Sequence, residues 1–183
     1  VVALVGGCGG KKDDGNTGVV NPNKPSPKAV PVNIADPIVE KEIRRRLKKP
    51  TGELTKADYE KVTMLNLVNM QLTDVKGLEK LTQLEELWFD YNKLTDVKGL
   101  EKLTKLEVLR LGFNKLTDVR GLEKLTKLEY LNLQSNQLTD VKGLEKLMQL
   151  VKLRLQANPA LTKAQIDQLQ KVLPKCDILS NFA

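Results

Sequence analysis

Glu86 and Asp90 bracket Trp88, and two carboxylates beside an aromatic ring are the minimum equipment for glycoside hydrolysis, one acting as acid and the other as base or nucleophile. The spacing argues against that chemistry. The three residues alternate along a single extended segment, which offers no pocket to push the two carboxyl pKa values apart. Asp74, Asp96, Asp118 and Asp140 recur every 22 residues, and stacked carboxylates are what a calcium ion takes. A basic residue follows two positions behind each of them (Lys76, Lys98, Arg120, Lys142), forming a cationic column that neutralises the acidic one. The calcium-binding solenoid motif G-G-x-G-x-D is absent. With no histidine and only two cysteines, Cys8 and Cys176, neither a histidine-based zinc site nor a Ser-His-Asp triad can be built. The reading is a protein without catalytic residues, metal or cofactor.

The elements that carry these residues are repeats. Units beginning at Leu72, Leu94, Leu116 and Leu138 share the frame L-T-D-V-x-G-L-E-K-L over 22 residues. Self-similarity at that period is the mark of a solenoid, in which one unit cannot bury its apolar face alone and stacking supplies the core. Each unit also contains LxxLxLxxN, as in Leu106, Leu109, Leu111 and Asn114. On these motifs the chain, over roughly residues 33–178, resembles the leucine-rich repeat proteins, and its 22-residue L-T-D-V-x-G-L form is similar to the internalin-type bacterial class. The expected fold is an α/β solenoid: a curved leucine-rich repeat rod with short parallel strands on the concave face, short helical or 3-10 turns on the convex face, and helical caps at both ends. Asn92, Asn114, Asn136 and Asn158 fall where the chain turns inward after each strand, so their amides are expected to form a structural ladder that satisfies backbone groups. Gly77, Gly99, Gly121 and Gly143 mark a tight convex bend, and the Asp column stands where a carboxylate caps the turn that follows. The copy VTMLNLVNMQ, with Met70 in the Asn position, reads as a degenerate opening turn.

Strand residues alternate between core and surface, which lists the outward positions. They include Glu86, Trp88, Asp90 and Tyr91 in one unit, Val108, Arg110, Gly112 and Phe113 in the next, then Tyr130, Asn132, Gln134 and Ser135, and finally Lys152, Arg154, Gln156 and Ala157. Met64, Asn66, Val68 and Asn69 precede them. Four of the seven aromatic residues, Trp88, Tyr91, Phe113 and Tyr130, share this face. The convex positions scarcely vary, whereas these differ from unit to unit, and aromatic rings flanked by Arg110 and Arg154 have the composition of an interface core. The bland alternative is that the rings only cover neighbouring strands.

Solenoids need covers at both ends. Residues 33–61 read as a helical N-terminal cap, with Pro37 in a first turn after Asp36 and an apolar stripe of Ile38, Ile43 and Leu47. The run Arg44, Arg45, Arg46, Lys48, Lys49 reads as a solvated face, with an anionic-surface contact as the alternative. Repeats occupy 62–158. Residues 159–183 form the other cap, with Ile166, Leu169 and Leu173 at helical spacing, Pro174 as the stop, and Cys176 as a small buried residue.

A net charge of +7 and a pI near 9.3 allow acidic partners without indicating nucleic acid. The first ten residues, VVALVGGCGG, are an apolar stub, which begins at Val1 rather than Met and is expected to have lost its start. Val5, Gly6, Gly7 and Cys8 resemble the lipobox of bacterial lipoprotein signal segments, which implies that residues 1–8 are a signal remnant, that Cys8 is lipidated, and that the protein is extracytoplasmic and held to a bacterial membrane. A plain thiol at Cys8 is the alternative, as is a disulfide to Cys176, which would gain little by tethering a Gly-rich tail. Residues 9–32, rich in Gly, Lys, Asp, Asn and Pro, read as a disordered linker. No stretch has the length of a membrane-spanning helix. The expectation is a monomeric interaction module for an unknown protein ligand. A structural or anionic-polymer-binding rod is the alternative.

Overall fold

The computed structural model describes Ile34 and residues 36–182. Cys8, the lipobox and the 9–32 linker lie outside the described residues. Five short strands, β1 (Met64–Asn66), β2 (Glu86–Trp88), β3 (Val108–Arg110), β4 (Tyr130–Asn132) and β5 (Lys152–Arg154), stack in chain order. A sixth, β6 (Asp177–Leu179), extends the sheet beyond them. All pairs are parallel and in register, so that Leu65, Leu87, Leu109, Leu131, Leu153 and Ile178 form one buried row. On the convex side each unit makes one 3-10 turn: Leu78–Lys80, Leu100–Lys102, Leu122–Lys124 and Leu144–Lys146. The core is the continuous column of leucines between these two layers, with Val75, Val97, Val119 and Val141 at its convex edge.

The convex glycines enter those turns with φ between +89 and +105, a region closed to ordinary side chains. Both flanking carboxylates hold the bend. The Lys98 N–H donates to Asp96 Oδ1 at 3.0 Å and the Gly99 N–H to Glu101 Oε2 at 2.6 Å, and the other units repeat the pattern. The Asp column is thus committed one residue at a time to its own turn, and the side chain of Arg120 adds a 2.8 Å ion pair to Asp118. Among the described residues no group of three or more potential ligands gathers in one place.

Buried amides tie neighbouring units together. The Nδ2 of Asn114 donates to Phe89 O in the unit before (3.0 Å) and to Leu111 O in its own (3.1 Å), while its Oδ1 accepts from Leu94 N–H (3.0 Å). Asn92, Asn136 and Asn158 make the equivalent bonds.

Helix α1 (Pro37–Leu47) packs against β1 and closes the first layer. Asp36 caps it, accepting from Ile38 and Val39 N–H. Its buried stripe differs from the sequence expectation: Val39 and Ile43, four apart, face the core with Glu42, Leu47 packs partly against it, and Ile38 is 39% exposed. The i, i+4 spacing of Val39 and Ile43 sets the face that meets the core, and Glu42 tolerates burial because it accepts from Arg45 Nε at 2.8 Å. Most of the basic run is also engaged. Arg44 pairs with Glu40 and reaches Gly52 O, Arg46 donates to Met64 O, and Lys49 donates to Asp58 and Glu53 O. Helix α2 (Lys56–Tyr59) follows, with a reciprocal capping box between Thr55 and Asp58.

At the far end α3 (Lys163–Val172) replaces the 3-10 turn of a further unit and packs against the last one. Its buried Ile166 and Leu169, with Leu173 just beyond, face the core, and the chain returns through buried Cys176 into β6. Strand β6 is absent from the sequence expectation because Asp177-Ile178-Leu179 lacks the LxxLxLxxN frame. No helix among the described residues is long and apolar enough to cross a membrane.

Candidate functional site

In-register stacking turns the outward strand positions into columns along the concave face. One runs Met64, Glu86, Val108, Tyr130, Lys152, and the next Asn66, Trp88, Arg110, Asn132, Arg154. Two further columns follow each strand: Val68, Asp90, Gly112, Gln134, Gln156, and then Asn69, Tyr91, Phe113, Ser135, Ala157. Residues of the last column share one backbone conformation, with φ from 53 to 60. Their side chains therefore leave the backbone in the same direction, unit after unit.

That geometry places Tyr91 and Phe113 face to face, with ring centroids 4.3 Å apart and planes 6° from parallel. The rings remain 52% and 38% exposed. Beside them the Arg110 guanidinium lies 5.3 Å over the Trp88 ring, a cation–π contact. Tyr130 and Val108 are half-buried in the adjoining column.

Asp90 corrects the sequence reading. Expected to point outward, it is only 1% exposed. Its Oδ1 accepts from Gly112 N–H (2.8 Å) and from Asn132 Nδ2 (3.1 Å), and its Oδ2 lies 2.7 Å from Arg110 Nε. Asn132, also expected outward, is buried in the same network, and its Oδ1 accepts from Gln134 N–H. The network is possible because Gly112 has no side chain, since a Cβ there would stand 2.7 Å from Asn132 Nδ2 and 2.9 Å from Asp90 Oδ1. Gly112 is therefore the position that leaves room for the network. The only available signal was a glycine interrupting a strand column. Burial pushes the Asp90 carboxyl above its ordinary range, and the charge of Arg110 partly opposes that rise. Glu86, in a different column, shares none of these bonds, so the structure does not bring the two carboxylates into one acid–base pair.

The β5 end of the face is basic. Lys152 Nζ stands 3.7 Å from Asp177 on β6. Among the described arginines, Arg154 is the one whose side chain makes no ion pair or hydrogen bond, although its Nε is buried. The Oε1 of Gln156 and the Nε1 of Trp88 are likewise buried without a partner.

Models of the family described as Leucine Rich repeats (2 copies) match residues 60–102, 82–124, 104–146 and 126–171, together more than half of the chain. That family is a repeat scaffold rather than a catalytic class. Among solved structures, an internalin (InlF) from Listeria monocytogenes is 30% identical with a TM-score of 0.73, over 79% of this chain and 42% of the internalin. A leucine-rich repeat protein of Leptospira interrogans is 33% identical with a TM-score of 0.62, over 69% of this chain and 33% of its own. The functional domain of InlJ from Listeria monocytogenes, described as including a cysteine ladder, is 27% identical with a TM-score of 0.60, over 76% of this chain and 34% of that one. The chain thus spans less than half the length of these structures. No curated protein matches it. By its repeat frame, its in-register parallel sheet and these matches, the chain belongs to the leucine-rich repeat family and is built like the internalins.

Proposed function

We propose that this chain is a non-catalytic protein-interaction module that captures a protein partner on its concave face and is held at a bacterial envelope through lipid on Cys8. The observation that carries the reading is the exposed Tyr91–Phe113 stack beside the Trp88–Arg110 pair. Rigid aromatic rings and arginine dominate binding energy at protein interfaces, and these sit on the one surface whose residues vary between otherwise matching units. The internalin-like scaffold supports an interaction role, although a scaffold alone does not fix one. The basic run of α1 supports a rod binding anionic polymers less well, because so many of its members are spent on intramolecular bonds.

Capture from the producing cells and their surroundings tests the face. The wild-type chain is expected to retain a protein that a Trp88→Ala, Phe113→Ala double variant loses by about tenfold or more. Equal retention by both would remove the concave face from consideration. For the anchor, growth with labelled fatty acid is expected to mark the wild-type protein and not Cys8→Ser.

A further inference from the structure

The column that carries Tyr91 and Phe113 changes size abruptly. The next two units place Ser135 and Ala157 on the same left-handed backbone, with φ 53 and 54 against 60 and 56 for the rings. Their Cβ atoms therefore point where a third and a fourth ring would stand, and neither side chain is large enough to fill that space. Successive strands lie about 4.8 Å apart, close to the 4.3 Å separation of the two rings already stacked. The face of Phe113 that turns away from Tyr91 thus borders a slot walled on one side by Phe113 and floored by Ser135 and then Ala157.

Beside the slot, in the strand column, lies Arg154. Arg110 spends its charge on Asp90 and its plane on Trp88, and Lys152 lies near Asp177. Arg154 has no such partner, and its Nε is buried. A guanidinium donor taken out of water and left unbonded is costly, and a carboxylate is the group that matches it best. The charge of the face is graded in the same sense, with Glu86 at the β2 end and the free cation at β5.

From the slot and the unpaired guanidinium together we infer that the partner lays a planar aromatic side chain on the free face of Phe113, above Ser135, and gives a carboxylate to Arg154. In its own unit Arg154 lies three residues before the slot column, roughly 10 Å at ~3.3 Å per residue, and it stands one unit on from Ser135. The ring and the acid therefore belong to one extended acidic segment and stand three or four residues apart. This inference rests on the concave face being the receptor surface, and it specifies what that surface takes.

The test uses the full chain as bait for a random dodecapeptide display library, followed by affinity measurements on synthetic copies of the enriched peptides. Enriched sequences are expected to pair Trp, Tyr or Phe with Asp or Glu at a spacing of three or four. Ser135→Phe fills the slot on a backbone that already accepts Phe113, and Arg154→Gln removes the charge. Each is expected to weaken binding about tenfold or more without changing Tm. Peptides that bind Ser135→Phe and Arg154→Gln as well as the wild type but are lost on Trp88→Ala would overturn the slot and leave the concave face standing. Peptides indifferent to all three variants would remove the face as well. Enrichment of rings without acids, or no enrichment, would also overturn the inference.

Discussion

A single amide shows how much of this fold hangs on individual atoms. Asn114 satisfies carbonyls in two units and a backbone N–H in the loop between them, all out of contact with water. Asn114→Ala leaves several buried polar groups unpaired at once, so unfolding in urea is expected to show a loss of about 3 kcal/mol, whereas an exposed Lys115→Ala should cost under about 0.5 kcal/mol. The ladder was legible because Asn recurs at one position of the period. The burial of Asp90 was not. It depends on Gly112, 22 residues on, leaving room for a carboxylate to lie across the next strand. Reading one unit at a time shows an outward position and misses what the neighbouring unit removes.

At the scale of elements, the repeats were readable because a period of leucines admits one stacking solution, while the ends were readable only in outline. Helices were expected at both ends from caps and apolar spacing, yet the buried face of α1 runs through Val39 and Ile43 and leaves Ile38 exposed, and β6 is recruited by pairing with β5 rather than by any motif of its own. The short helix α2 depends on Asp58, whose carboxyl is held well below its ordinary range, chiefly by Lys49 and then by the Thr55 backbone. A depressed carboxyl contributes stability that is present above its unfolded value near 3.9 and is lost as pH falls toward the folded value. Asp58→Asn is therefore expected to lower stability by about 1 kcal/mol at pH 7. The gap between variant and wild type, followed by thermal unfolding, is expected to close as pH is lowered from about 4 to 2.

For the whole molecule the question is whether the rod opens as one body. Each layer is covered by its neighbours, so cooperativity propagates through the stack, and Cys176 is placed to report it from the closing layer. Burial first, and Asp177 second, push its thiol up to about 11. In a Cys8→Ser background it is expected to resist iodoacetamide in the native state and to become reactive in urea at the same midpoint as the loss of circular dichroism. Labelling at lower urea would show that the α3 and β6 end opens ahead of the repeats. The same nearest-neighbour bonding has a consequence for size. Each convex bend is held by carboxylates of its own unit, and each ladder Asn reaches only its own unit and the one before it. Outside the Asp90–Gly112–Asn132 network, which ties three successive units, no side chain fixes the number of units, so a copy gained or lost there moves one end relative to the other by about 4.8 Å. Both covers still fit. The molecule is a ruler, and the aromatic slot is a mark at one graduation whose distance from either end can be reset in whole steps without recasting the mark itself.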